Sequence, residues 1–178
     1  VVTDLSTHSR GIFLTVFDRK QAQQAKIEIN VVKSMGRPPQ AMTTEAIAKP
    51  HSLAAKIIAT MDLAEAFSHK IAATLERSLV RDLYDLMQLE PLTHFDMDIL
   101  KKRFLKLEVG RAKPKKVSIE EAIRLLQKKM DQLTDKRIRD ELFGTLSNEQ
   151  LTGLKIRLKA VISRIIRKLE ESKHMPLV

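Results

Sequence analysis

Leu151, Leu154, Leu158, Val161, Ile162, Ile165 and Leu169 recur at three- and four-residue spacing. That period places them on one stripe of an α-helix and rules out the alternation of a strand. A stripe this long has to be buried against other elements, so the C-terminal region must fold as part of a helical bundle. Ser147, with Gln150 three residues on, reads as the cap of this last helix. The same grammar recurs upstream. Asp62 precedes a helix over about 62–75, with Glu65 in the capping-box place. Further helices are predicted over about 79–89, stopping before Pro91, and over about 93–107 with Asp96 as its cap. Another follows Ser118, with Glu121 in the capping-box place, and another follows Thr134. Between them "EVGRAKPKK", residues 108–116, reads as a basic loop.

The first third has a different texture. Residues 11–17, "GIFLTVF", are short, apolar and rich in β-branched and aromatic side chains. Residues 26–32, "KIEINVV", alternate, with Lys26, Glu28 and Asn30 on one side and Ile27, Ile29 and Val31 on the other. The link 18–25 suits a hairpin-like return, and "MGRPPQ", 35–40, must be a loop. A third strand is expected within 54–61. The chain thus reads as α+β, mostly α: a small β portion over 1–61, then a helical domain over 62–178 with a basic C-terminal half.

Composition excludes several classes. The 178 residues include no cysteine, so there is neither a disulfide nor a Cys-ligated zinc, which suits a cytoplasmic setting. No apolar run approaches the ~20 residues that span a bilayer, and no signal peptide opens the chain. The histidines, at 8, 51, 69, 94 and 174, lack metal-ligand spacing. There is no P-loop or dinucleotide fingerprint. The net charge of +10 is lopsided: residues 1–100 carry 11 Lys or Arg and 12 Asp or Glu, whereas residues 101–178 carry 21 and 10. Such an asymmetry favours an anionic partner, against the plainer reading of a solvated basic surface. With one Tyr, six Phe and no Trp, single-strand binding by a row of stacked aromatics is not expected. Arg111, Lys113, Lys115 and Lys116 in the loop, and Arg157, Arg164, Arg167 and Lys168 on the last helix, are the candidate RNA contacts.

The densest chemistry lies in "LERSLVRDLYDL", residues 75–86. Upstream of it Lys70 falls within the face defined by Leu63, Phe67 and Thr74. A lysine there either snorkels to water or meets an anion. Arg81 and Asp85 are four apart, and Asp82 and Asp85 three apart, so all can share one helix edge. That edge is either an ordinary exposed salt bridge or a set of carboxylates able to hold a metal or orient a cation.

"DLAEAFSHKIAATLERSLVRDLYDL" resembles the signature of the AbiEii-type nucleotidyltransferases, the abortive-infection toxins, with Lys70, Arg77, Arg81, Asp82, Tyr84, Asp85 and Leu86 at the matching places and His69 in place of an acidic residue. "KIEIN" is similar to the family's upstream "K-I-D-I" strand, with Glu28 as its carboxylate. The resemblance runs over about residues 11–104. It implies a nucleotidyltransferase-like fold with a helical C-terminal region. The implied reaction moves a nucleoside monophosphate from an NTP to RNA, in several members the acceptor end of tRNA. It also implies two Mg²⁺ ions, with Glu28 as one metal ligand. Lys70, with Arg77 and Arg81, would bind the nucleotide, and Lys70, Asp82 and Asp85 would form the catalytic group. A toxin of this kind implies an antitoxin partner and a role in phage defence, and no membrane. The family's "Gly-Ser … D-x-D" motif is expected before Gly11, and this chain has no Gly-Ser pair. An upstream segment is therefore expected in the complete protein. Asp96-Met97-Asp98 stands at a helix start, where Asp96 serves as a cap. The competing reading is a noncatalytic basic helical module that binds nucleic acid or a partner protein.

Overall fold

The computed structural model describes residues 2–8, 11–18, 23–30, 36–111 and 113–173, with side chains described over 36–110 and 113–172. The chain divides into two compact units, Val1–Met35 and Gly36–Val178.

The first unit is an antiparallel meander of β1 (Val2–His8), β2 (Gly11–Asp18) and β3 (Gln23–Asn30), in that order. β2 and β3 pair from Gly11 opposite Asn30 through Phe13 opposite Glu28 to Asp18 opposite Gln23. The strand expected at 26–32 therefore begins earlier, at Gln23, and the return after Asp18 is shorter than 18–25. Residues 31 and 32 lie outside the described residues. β1 has no apolar run to announce it. Thr7 and His8 pair with Ile12 and Gly11, since neighbouring backbone supplies the hydrogen bonds that local composition does not predict.

The second unit opens with Gly36–Pro39 in irregular conformation. β4 (Gln40–Thr43) then pairs antiparallel with β5 (Ile57–Thr60). β5 is the strand expected within 54–61. Between them lie a one-turn helix, α1 (Glu45–Ala48), and a 3-10 turn over Lys49–His51.

The helices follow as α2 (Leu63–Glu76), α3 (Val80–Leu89), α4 (Met97–Phe104), α5 (Ile119–Asp131), α6 (Asp135–Leu142), α7 (Asn148–Leu151) and α8 (Leu154–Lys173). Asp62, Asp96, Ser118 and Thr134 each accept a first-turn backbone N–H. Neither glutamate closes its capping box, because each is drawn elsewhere. Glu65 accepts from the Arg37 N–H at 2.9 Å, and Glu121 pairs with Lys115 at 2.6 Å. Ser147 and Gln150 do form the reciprocal box, but on α7 rather than on the last helix. Gly153, at φ +68°, breaks the chain in the left-handed region, and α8 starts afresh at Leu154.

The apolar stripe of α8 is buried from Leu154 through Leu158, Val161, Ile162 and Ile165 to Leu169, while Leu151 packs at its margin. It shares one buried core with Phe67, Ile71 and Leu75 of α2, Leu83 and Leu86 of α3, Leu100 and Phe104 of α4, and Leu126 of α5. This core fixes the register of α2 against α3, and the candidate site lies at their junction.

A lysine and arginine clasped on one buried aspartate

α2 ends at Arg77, whose backbone turns to the extended region (φ −134°, ψ 154°) and so stops the helix. Three residues later α3 begins with Leu79 in the cap position, a residue with no side chain able to cap. The missing acceptor comes from another helix: Glu141 of α6 takes the Val80 N–H at 2.6 Å. Arg137 grips that same carboxylate at 2.9 Å and also donates to the Ser78 carbonyl. Lys129 of α5 donates to the Arg77 carbonyl at 3.1 Å and the Ser78 hydroxyl at 2.9 Å. The α2–α3 turn is thus set by three side chains distant in sequence, and sequence reading missed all three. The one signal was a helix start without a local cap.

This turn fixes Asp82 in the first turn of α3, fully buried. The dipole at the helix start favours its negative charge. Arg77 forks onto both its oxygens, Nε to Oδ2 at 2.8 Å and Nη2 to Oδ1 at 2.9 Å. That bond holds the Arg77 guanidinium above its ordinary pKa. Lys70 reaches the same carboxylate, with Nζ 3.4 Å from Oδ1, and lies 2.7 Å from Oδ2 of Asp85. The lysine inside the apolar face therefore meets a buried anion on one side and a half-exposed one on the other; the Asp85 side chain is 46% exposed. Arg81 is exposed and makes no hydrogen bond or ion pair among the described residues. Lys70, Arg77, Asp82 and Asp85 are thus brought into one cluster. Arg81 stands free one helical turn before Asp85.

The clasp can present a positioned ammonium and a free guanidinium to an anion. It cannot present a metal site by itself. Both Asp82 oxygens are occupied by cations, which leaves Asp85 alone, and no group of three acidic or histidine side chains suited to a metal occurs among the described residues. A two-Mg²⁺ centre does not fit these residues. Glu28 is on β3, and its side chain lies outside the described residues, as do those of Arg111, His8 and His174. Asp96 is a cap, taking the Asp98 and Ile99 N–H groups on Oδ1 and the Arg37 fork on Oδ2.

The basic candidates divide. Lys113 and Lys116 are exposed and make no ion pair among the described residues, while Lys115 is tied to Glu121. Arg157 donates to the Gln150 and Thr152 carbonyls at the end of α7. Arg164 forks onto Glu90 at 2.8 and 2.9 Å. Arg167 approaches Glu171 at 3.7 Å, and Lys168 lies 3.3 Å from His94 Nδ1.

A family model described as nucleotidyl transferase AbiEii toxin, type IV toxin–antitoxin system, matches residues 2–172. The chain belongs to the AbiEii family. The match spans both units and includes β3 and the whole α2–α3 clasp. No curated protein and no solved structure matches the chain. The AbiEii family makes this a nucleotidyltransferase-like toxin with an antitoxin as its counterpart. No helix among the described residues is long and apolar enough to cross a membrane.

Proposed function

We propose that the chain forms part of an enzyme that transfers a nucleoside monophosphate from an NTP to RNA, with the acceptor end of tRNA as the candidate acceptor. The observation that carries this reading is Lys70 held between Asp82 and Asp85, beside an unpaired Arg81. Buried Asp82 is the positioning residue: it keeps Lys70 and Arg77 aimed without leaving its own charge unpaired. Asp85, half-exposed, holds the other side of the Lys70 ammonium and orients it toward a triphosphate oxygen. The ammonium would then stabilise negative charge on the phosphates as the bond to the leaving pyrophosphate breaks. Arg81 and Arg77 complete the nucleotide contacts. Glu28 and the two Mg²⁺ ions belong to the same reading by family membership.

In this reading residues 1–61 supply the β portion of the nucleotidyltransferase, and 62–178 the helical domain whose basic half faces RNA. The compartment is the cytoplasm, where NTP and RNA meet, and the biological setting is phage defence.

The test is transfer of label from α-labelled NTP to RNA, with the protein expressed from its full reading frame. Asp85→Asn should cut turnover at least tenfold, because the lysine loses its orienting partner. Its melting temperature should hardly move, since an exposed pair contributes under ~0.5 kcal/mol. Unchanged turnover would reduce the Lys70–Asp85 pair to a surface salt bridge.

A further inference from the structure

Beside the clasp, a cleft of about 510 Å³ opens between the α2–α3 turn and the C-terminal half of α5. Leu75, Leu79, Val109 and Leu125 give it an apolar wall. Arg77, Lys128 and Lys129 bring three cations to it, and Ser78 a hydroxyl. Its one carboxylate, Glu76, is already bound to Arg103 at 3.0 Å. Lys128 is exposed and has no ion pair among the described residues. Lys129 is half-buried, and its acceptors are neutral, the Arg77 carbonyl and the Ser78 hydroxyl. Desolvation, with the nearby Arg137 and Lys128 charges adding to it and Asp82 opposing it, lowers the pKa of this ammonium. Lysines in the last turn of a helix ordinarily complement its dipole. That explains the charge of the pair but neither the cavity nor the absence of a carboxylate on Lys129.

An apolar wall flanked by Lys128 and Lys129, neither of which has an ion pair among the described residues, matches a nucleotide, whose base is flat and largely apolar and whose phosphate is anionic. Arg77 joins this cleft to the clasp, since it lines the one and forks onto Asp82 in the other.

We infer that the cleft is the acceptor subsite: it holds one phosphate-bearing nucleotide of the RNA strand, base on the leucine wall and phosphate on Lys128 and Lys129. The inference rests on the reading of the chain as an RNA-directed nucleotidyltransferase. Aliphatic contacts would make the subsite tolerant of base identity.

The test uses the full chain, a fluorescent single-stranded RNA oligonucleotide and, separately, ATP. Lys128→Glu is the primary variant, because Lys128 is exposed and holds nothing in place. Lys129→Met is the second, read with a melting curve because Lys129 also supports Ser78. Each should weaken RNA binding roughly tenfold or more, as loss of a charge-assisted contact does. Each should also flatten the salt dependence by about 0.7 per lost phosphate contact. ATP affinity should be unchanged in Lys128→Glu. If wild type binds RNA and the Lys128→Glu titration overlays it, the subsite is rejected while the reading of function stands. Loss of ATP binding with RNA binding intact would give the cleft to the triphosphate and also reject the subsite. A wild-type chain that binds ATP but no RNA would overturn the RNA-directed reading, and the subsite with it.

Discussion

Asp82 shows how much can depend on one carboxylate. It is fully buried, and its charge is tolerated because a guanidinium fork and an ammonium share it. Asp82→Asn removes the charge but keeps the shape, and leaves Arg77 and Lys70 competing for one amide oxygen. It should destabilise the protein by about 1–3 kcal/mol, discounted toward the lower end because the Arg77 side chain is 44% exposed. Chemical denaturation reads this directly. A loss no larger than that expected for Asp85→Asn would show that the buried charge is not what orders the pair. Sequence spacing already placed Arg81, Asp82 and Asp85 along one edge. Which aspartate would be buried was also legible in principle, because Asp82 lies four residues before Leu86, on the core face. Lys129, Arg137 and Glu141 were not legible, because their roles depend on tertiary placement of α5 and α6 against the turn.

At the scale of the element, ends decide more than interiors. The caps at Asp62, Asp96, Ser118 and Thr134 could be read from sequence because capping is local chemistry. The break at Gly153 could not, because a glycine between two periodic stretches is compatible with one continuous helix. The loop before β4 is tighter than its composition suggests. A Cβ on Gly36 would lie 2.7 Å from Ile99 Cδ1 and 3.3 Å from the Glu65 carboxyl carbon. Arg37 next to it forks onto Asp96 and donates its N–H to Glu65. Gly36→Ala should therefore destabilise by up to about 1 kcal/mol, because the Ile99 methyl must move aside. A melting temperature equal to wild type would mean that the loop shifts freely. A pH effect belongs to the α3–α8 contact. The Arg164 fork holds the Glu90 carboxyl below the usual glutamate range. A depressed folded-state pKa stabilises above the unfolded value, and the gain is lost as pH falls through the folded value. Glu90→Gln should lower the melting temperature at neutral pH and leave wild type and variant converging in acid. Parallel curves across that range would exclude the pair as a source of acid lability.

The molecule as a whole combines a helical unit organised around α8, a separate β meander, and a charge excess confined to residues 101–178. The helical character and the buried stripe were readable because helix periodicity needs no knowledge of topology. The meander was half readable: β2 and β3 carry apolar or alternating runs, while β1 is recruited by its neighbour. The basic surface proved less uniform than its charge count. Arg164 and Arg157 are engaged in holding α8 to α3 and closing α7, whereas Lys113, Lys116 and Lys128 have no ion pair among the described residues. We propose that the α2–α3 clasp receives a triphosphate through Lys70. Isothermal calorimetry of ATP with Mg²⁺ against wild type and Lys70→Ala tests it most directly. Asp82 keeps its Arg77 fork in the variant, so the fold should survive, which a melting curve can verify. The affinity of Lys70→Ala should fall roughly tenfold or more, the loss of one charge-assisted phosphate contact. Equal affinity in a folded variant would contradict it.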